Sequence, residues 1–262
     1  MEQAFHQVDQ ELSELEVLRP KLTADISVQD FKNILVRIER IQNLSSRIYV
    51  YAGLLFYEDT QNQPAQTLRA RVDQFIADLT NRLLFFDLWW KALEDDQAER
   101  LQAESGDLQY WLEAMRHFKP HTLSEPEEKI INIKNVTGPN ALQMLYESIT
   151  NRYTFKLTVD EQEKELTRGE LMMYARNADA DLRANAYREL YRVYGIDGPI
   201  LGQIYQALVR DWRNEQISLR NYASPIAPRN LQNDLPDAVV DILLDVAKKN
   251  VDIFQRFFRL KA

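Results

Sequence analysis

Apolar residues in the first third of the chain fall at helical intervals. Phe31, Leu35, Ile38, Ile41, Ile48, Ala52 and Leu55 recur so as to line one face of a helix. Ser27, directly before Val28, has an N-cap side chain for that helix. The polar stretch 58–63 interrupts the pattern, and Pro64 is placed to open a second helix. In it Leu68, Val72, Phe75, Leu79, Leu83, Phe86 and Trp90 follow every three or four residues. Each helix is about seven turns long, and the short polar turn between them predicts antiparallel pairing. Phe85, Phe86, Trp89 and Trp90 gather at the far end of the second helix, which reads as packing against neighbouring helices.

Farther along, a helix over about 109–118 ends at Pro120. Ser124 and Glu127 have capping-box spacing, and Thr137-Gly138-Pro139 marks a stop and restart. The period then changes. Tyr153, Phe155, Leu157 and Val159 alternate with Thr154, Lys156 and Thr158, as a half-buried strand does, and 163–166 reads as its return partner. Thr167 and Glu170 form a second capping box. Asp179 caps a helix through Tyr194 that Gly195 ends, and Pro199 opens a longer one holding Ile200, Ile204, Leu208 and Trp212. The segment 221–233, with Pro225, Pro228 and three Asn, reads as irregular. Asp234 and Pro236 then start a last helix with Val239, Leu243, Val246, Ile253, Phe257 and Leu260, which runs into Ala262 without a C-cap signal.

These patterns predict an all-α fold: long antiparallel helices and a helical bundle with one small β-hairpin near 153–166. Two regions are expected, a helical-hairpin region over 1–120 and a helical lobe over 121–262 that is cut short at its C-terminal end. Only 7 Gly and 9 Pro in 262 residues agree with long helices rather than a turn-rich β fold. With 45% hydrophobic and 27% charged residues the chain is expected to build a real core. The net charge of -8 argues against a nucleic-acid surface. No cysteine is present, which excludes disulfides and thiol catalysis. No stretch has the roughly 20 apolar residues of a membrane span, so no membrane partner is expected and the reading is cytoplasmic.

Candidate chemistry is sparse. His117 and His121 stand at the i, i+4 spacing of a zinc-binding helix. Pro120, however, pushes Lys119 out of helical geometry, so the two imidazoles should not share a face. His6 is isolated near the N-terminus. Glu125, Glu127 and Glu128 crowd a helix start, where the macrodipole stabilises negative charge. Asp95-Asp96 and Asp179 with Asp181 read as turns and caps. There is no Gly-rich phosphate loop and no Gly-x-Ser-x-Gly, and Ser224 has no nearby His to activate it. Neither a catalytic nor a metal residue is expected in this chain.

Two blocks carry a resemblance. The first is Phe118-Lys119-Pro120-His121-Thr122-Leu123-Ser124-Glu125-Pro126-Glu127-Glu128-Lys129, followed by Val136-Thr137-Gly138. The second runs over 220–233, with Tyr222-Ala223-Ser224-Pro225-Ile226-Ala227-Pro228-Arg229-Asn230-Leu231 at its centre, and continues at Phe258-Arg259-Leu260-Lys261-Ala262. Together they resemble oligoendopeptidase F, of the thimet-oligopeptidase-like zinc metalloendopeptidases. The resemblance implies a helical protein whose two lobes flank a channel for short peptides. It also implies hydrolysis by a zinc-activated water, with a His-Glu-x-x-His helix holding the metal. That pentapeptide is absent from these residues. The chain is therefore expected to be the non-catalytic N-terminal lobe, one wall of the channel, with Arg229 and Asn230 as candidate lining residues. Its expected partners are short peptides and a C-terminal catalytic half that holds the zinc. The alternative is a stand-alone helical peptide-binding or scaffold module. A lobe should leave an apolar face uncovered where its other half docks; a stand-alone module should not.

Overall fold

The computed structural model describes residues 1–261. In chain order its helices begin with α1 (Glu2–Glu16), α2 (Val28–Glu58), α3 (Gln63–Ala92), α4 (Asp95–Gln102), α5 (Gln109–His117), α6 (Glu125–Thr137) and α7 (Pro139–Asn151). A hairpin of β1 (Phe155–Val159) and β2 (Gln162–Leu166) follows. After it come α8 (Arg168–Tyr174), α9 (Ala180–Ile196), α10 (Gly198–Arg213), α11 (Ala227–Gln232), α12 (Asp237–Lys249) and α13 (Val251–Lys261). The fold is mostly α with a two-stranded antiparallel sheet, as the periodicities predict. Ala262, the last residue of the second resembling block and of the last predicted helix, lies outside the described residues.

Contacts divide the chain into two compact units that interleave in sequence. The first takes Met1–Leu18, Ile34–Leu83 and Pro126–Asp211; the second takes Arg19–Asn33, Leu84–Glu125 and the residues from Trp212 onward. Tyr49 meets Arg69, and Phe31 meets Trp90, so α2 and α3 run antiparallel.

In the first unit α1 buries Phe5, Val8, Leu12 and Leu15, a helical stripe that sequence reasoning passed over among its charges. Phe5 meets the edge of Phe75 with ring centroids 4.7 Å apart. The polar side of α1 is held by arginines. Arg37 pairs with Glu14 at 2.7 Å, and Arg82 donates through Nε and Nη2 to the two oxygens of Glu16 at 2.8 and 2.6 Å. The hydrogen bonds from Arg82 hold the Glu16 carboxyl below its ordinary value of 4.5, against the opposing effect of burial. A carboxyl depressed in the folded state stabilises above its unfolded value, and that stability is lost as pH falls through the depressed value. Glu16 is 37% exposed, so solvent screening limits the contribution to about 1 kcal/mol. Arg82→Ala should therefore lower stability at pH 7 by about that amount and flatten its loss below pH 4.5, as read by acid titration of the circular dichroism signal.

The hairpin caps a second core in the same unit. Val159 pairs with Gln162 across Asp160 and Glu161, both left-handed (φ 53° and 61°), so the two-residue turn matches the strand twist. The inward face of β1 (Phe155, Leu157, Val159) packs with Leu166, Leu171, Ala186 and Val193. The Thr167 capping box forms as its spacing predicts: Thr167 N–H donates to Glu170 at 2.7 Å, and Glu170 N–H donates to the Thr167 hydroxyl. Gly138 separates α6 from α7 where a Cβ would stand 2.9 Å from the Lys134 carbonyl oxygen.

The second unit is built on the aromatic cluster. Trp90 is fully buried, lies 5.4 Å from Phe31 ring to ring, and donates Nε1–H to the Leu112 carbonyl at 2.8 Å. Arg116 donates to the carbonyls of Trp90 and Leu93 at 2.8 and 3.0 Å, and Lys119 adds a bond to Leu93 at 3.1 Å. These cations satisfy carbonyls at the C-terminal end of α3, where the helix has no donors of its own.

Three expectations need correction. Lys119–His121 forms a 3-10 turn instead of leaving helical geometry at Lys119, because the Pro120 ring is compatible with a tight turn and His121 N–H bonds Phe118 O at 2.9 Å. The segment 221–233 is not wholly irregular: Pro228 lies in the first turn of α11, where a missing N–H costs nothing. The single last helix is two, since Asn250 leaves helical geometry (φ -109°, ψ 15°) and α13 starts beyond it. A π-helical segment at Asn214–Leu219 after α10 has no counterpart in the sequence reading.

Candidate functional site

The residues that sequence reasoning weighed for metal chemistry are separated. His117 is exposed at the end of α5. His121 is committed elsewhere: its Nδ1 lies 2.8 Å from the Arg220 carbonyl, and a carbonyl only accepts, so Nδ1 carries the proton. Arg220 returns a bond from Nη1 to the His121 carbonyl at 3.2 Å. The imidazole stacks on Tyr222 with centroids 3.6 Å apart, and burial raises the Tyr222 phenol. This brace joins the two blocks that carry the family resemblance. Glu125 pairs with Arg19 at 3.2 Å, and Glu128 is buried. Among the described residues no three His, Cys, Asp or Glu side chains gather as metal ligands do. The side chains present do not fit a zinc site.

Arg229 and Asn230 sit on α11 and do different things. Asn230 is buried and donates its side-chain amide to Asp237 at 2.8 Å, while Leu235 N–H bonds the Asn230 carbonyl at 2.9 Å. It braces the turn into α12, where Asp234 adopts a left-handed φ of 55°. Arg229 is exposed.

Two features were not foreseen by residue spacing. One is a cleft of about 390 Å³ in the first unit, lined by α2, α3, α6 and α7. On one side the Arg69 guanidinium lies 4.4 Å over the Tyr49 ring, donates to its hydroxyl at 2.7 Å and pairs with Asp73 at 3.2 Å. Gly53 makes room for it, since a Cβ there would stand 2.9 Å from Arg69 Nη1. Opposite, Glu147 Oε1 accepts from the Tyr57 hydroxyl at 3.1 Å and from Gln143 at 3.3 Å. Asp73 has a side chain only 9% exposed, and burial raises its carboxyl despite Arg69, with Glu147 adding to the rise. Residues 49–147 supply these groups from four helices, so no local motif announces them.

The other feature is the α12–α13 pair in the second unit. α12 exposes Val239, Ile242, Leu243 and Val246, and α13 exposes Ile253, Phe254, Phe257, Phe258 and Leu260. Ile242 is 63% and Phe254 52% exposed. A monomer's surface seldom leaves so many large apolar side chains contiguous along two helices.

Comparison with known proteins fits the helical frame. A family model described as oligopeptidase F matches residues 89–155, from the end of α3 to the start of β1. Oligopeptidase PepF of Bacillus subtilis is 23% identical over 231 residues, covering 85% of this chain and 34% of the relative. Group B oligopeptidase PepB of Streptococcus agalactiae is 23% identical over 222 residues, covering 82% of this chain and 36% of the relative. The crystal structure of oligoendopeptidase-F from Enterococcus faecium superposes with a TM-score of 0.80 at 24% identity, over 99% of this chain and 53% of that one. The chain is oligoendopeptidase F-like. The family match is to the N-terminal region, and the chain spans about a third of the length of these two curated relatives. No helix among the described residues is long and apolar enough to cross a membrane.

Proposed function

We propose that this chain is the non-catalytic N-terminal lobe of an oligoendopeptidase F-like zinc metalloendopeptidase that hydrolyses short peptides in the cytoplasm. The uncovered apolar face of α12 and α13 carries the reading. Water-exposed Phe254, Phe257 and Leu260 are costly unless something covers them. In this reading a C-terminal catalytic half covers them, and the curated relatives have roughly two thirds of their length beyond what this chain matches. The zinc belongs to that half, since the three His of this chain are scattered and His121 is bound to Arg220. Here the lobe contributes a channel wall. Arg229, exposed on α11, faces substrate in this reading, and Asn230 fixes the helix that presents it.

Zinc titration of residues 1–262 by calorimetry, with a quenched fluorescent nonapeptide as substrate, tests the assignment of roles. The expected result is no stoichiometric zinc binding and no hydrolysis. One zinc per chain, lost in His121→Ala, would move the metal centre into this lobe and overturn the reading.

A further inference from the structure

The cleft between α2–α3 and α6–α7 has a charge and hydrogen-bonding pattern that its own residues leave incomplete. Arg69 faces two carboxylates, Asp73 and Glu147, so the lining is one positive charge short. Glu147 Oε1 accepts from Tyr57 and Gln143, while Oε2 has no partner among the described residues. Arg69 spends Nε and Nη2 on Asp73 and Tyr49, while Nη1 has no partner among them either. Asp73 and Tyr49 hold the guanidinium in place, with Nη1 in the space that Gly53 leaves, so this donor is preorganised. The same lining holds the side-chain amides of Asn132, Asn135, Asn140 and Gln143, of which Asn132 donates to Asn81 at 2.9 Å and Gln143 to Glu147 at 3.3 Å. Such amides donate and accept together, the pairing that a peptide backbone offers. Val136 and Met144 add apolar wall that can cover an aliphatic stem.

We propose that this cleft binds a peptide segment carrying a basic side chain. The cationic head meets Glu147 Oε2 beside Asp73, a backbone carbonyl accepts from Arg69 Nη1, and the side-chain amides take the flanking peptide groups. About 390 Å³ lies within the range of small-ligand sites and holds a side chain with one or two peptide units. Asp73 is already paired with Arg69, so an acidic side chain would be repelled by Glu147 and an aliphatic one would leave that carboxylate without a cation. The site lies wholly inside the first unit and needs neither zinc nor a second lobe, so it stands whether or not the peptidase reading does.

Residues 1–262 labelled with ¹⁵N are titrated with acetyl-Gly-Lys-Gly-amide and, in parallel, acetyl-Gly-norleucine-Gly-amide, which has the same shape and no charge. The lysine peptide should shift the side-chain amide resonances of Asn132 and Gln143. The norleucine peptide should bind about tenfold more weakly, the loss of one charge-assisted bond. Glu147→Gln should bring the lysine peptide down to the norleucine level while leaving the thermal midpoint in place. Equal affinity for the two peptides overturns the proposal, and so do shifts confined to residues outside the cleft. No shift at about 5 mM lysine peptide, a Kd beyond the millimolar range, overturns it as well. The comparison of ligands uses the unaltered protein, so it holds even where Glu147→Gln perturbs folding.

Discussion

Trp90→Ala is expected to destabilise the second unit by about 3–5 kcal/mol, the range for deleting a fully buried aromatic side chain. Trp90 has no exposed surface and packs on Phe31, while Arg116 stands 5.9 Å from its ring. Removal leaves a cavity that three neighbouring elements cannot close, because Phe31 on α2, Phe86 on α3 and Trp111 on α5 are themselves packed in the same cluster. It also leaves the Leu112 carbonyl without the indole donor at 2.8 Å. Trp90→Phe separates the two losses: it keeps most of the apolar contact and forfeits the hydrogen bond, for a smaller cost of about 1–2 kcal/mol beyond the lost volume. Urea unfolding followed by circular dichroism reads both. An alanine variant within about 1 kcal/mol of the parent would mean that the cluster is not the core of this unit.

The second large effect concerns the surface rather than the core. Residues 1–262 should bind an apolar fluorescent dye strongly and self-associate with rising concentration, because Ile242, Leu243, Phe254 and Phe257 face water. Phe254→Asp with Phe257→Asp should cut dye fluorescence several-fold and return the chain to a monomer in sedimentation. The same double change should alter unfolding free energy by no more than about 0.5 kcal/mol, since neither ring is in a core. This pairing of a large solubility effect with a small stability effect distinguishes a docking face from a packing face. Loss of folding in the double variant would show that α13 packs where the structure leaves it exposed.

What the sequence made legible follows from how local each signal is. The Ser27 cap and the Thr167–Glu170 box are decided within one turn, and both are formed: Asp30 N–H bonds the Ser27 hydroxyl at 3.0 Å. The strand alternation at Phe155, Leu157 and Val159 needs only neighbouring residues and is matched by their burial. α1 was missed because Phe5, Val8, Leu12 and Leu15 lie among acidic residues whose stabilising partners, Arg37, Arg71 and Arg82, are 23 to 73 residues away. The break at Asn250 gives no proline or glycine signal; a single residue leaves helical geometry between two apolar patterns that read as one. Of the candidate site residues, Arg229 and Asn230 were named from the resemblance and the structure gives Asn230 a bracing contact. The cleft around Arg69 could not be named at all, because its parts converge only after α2, α3, α6 and α7 have packed.

The most direct test is to purify the native polypeptide from its source and measure its mass, its zinc content and its hydrolysis of a short fluorogenic peptide. A lobe of a larger zinc endopeptidase predicts a chain longer than 262 residues, one zinc per chain and cleavage that a chelator abolishes. A native chain of 262 residues that holds no zinc and cleaves no peptide would contradict it, leaving a helical protein that has the fold of a peptidase without its chemistry.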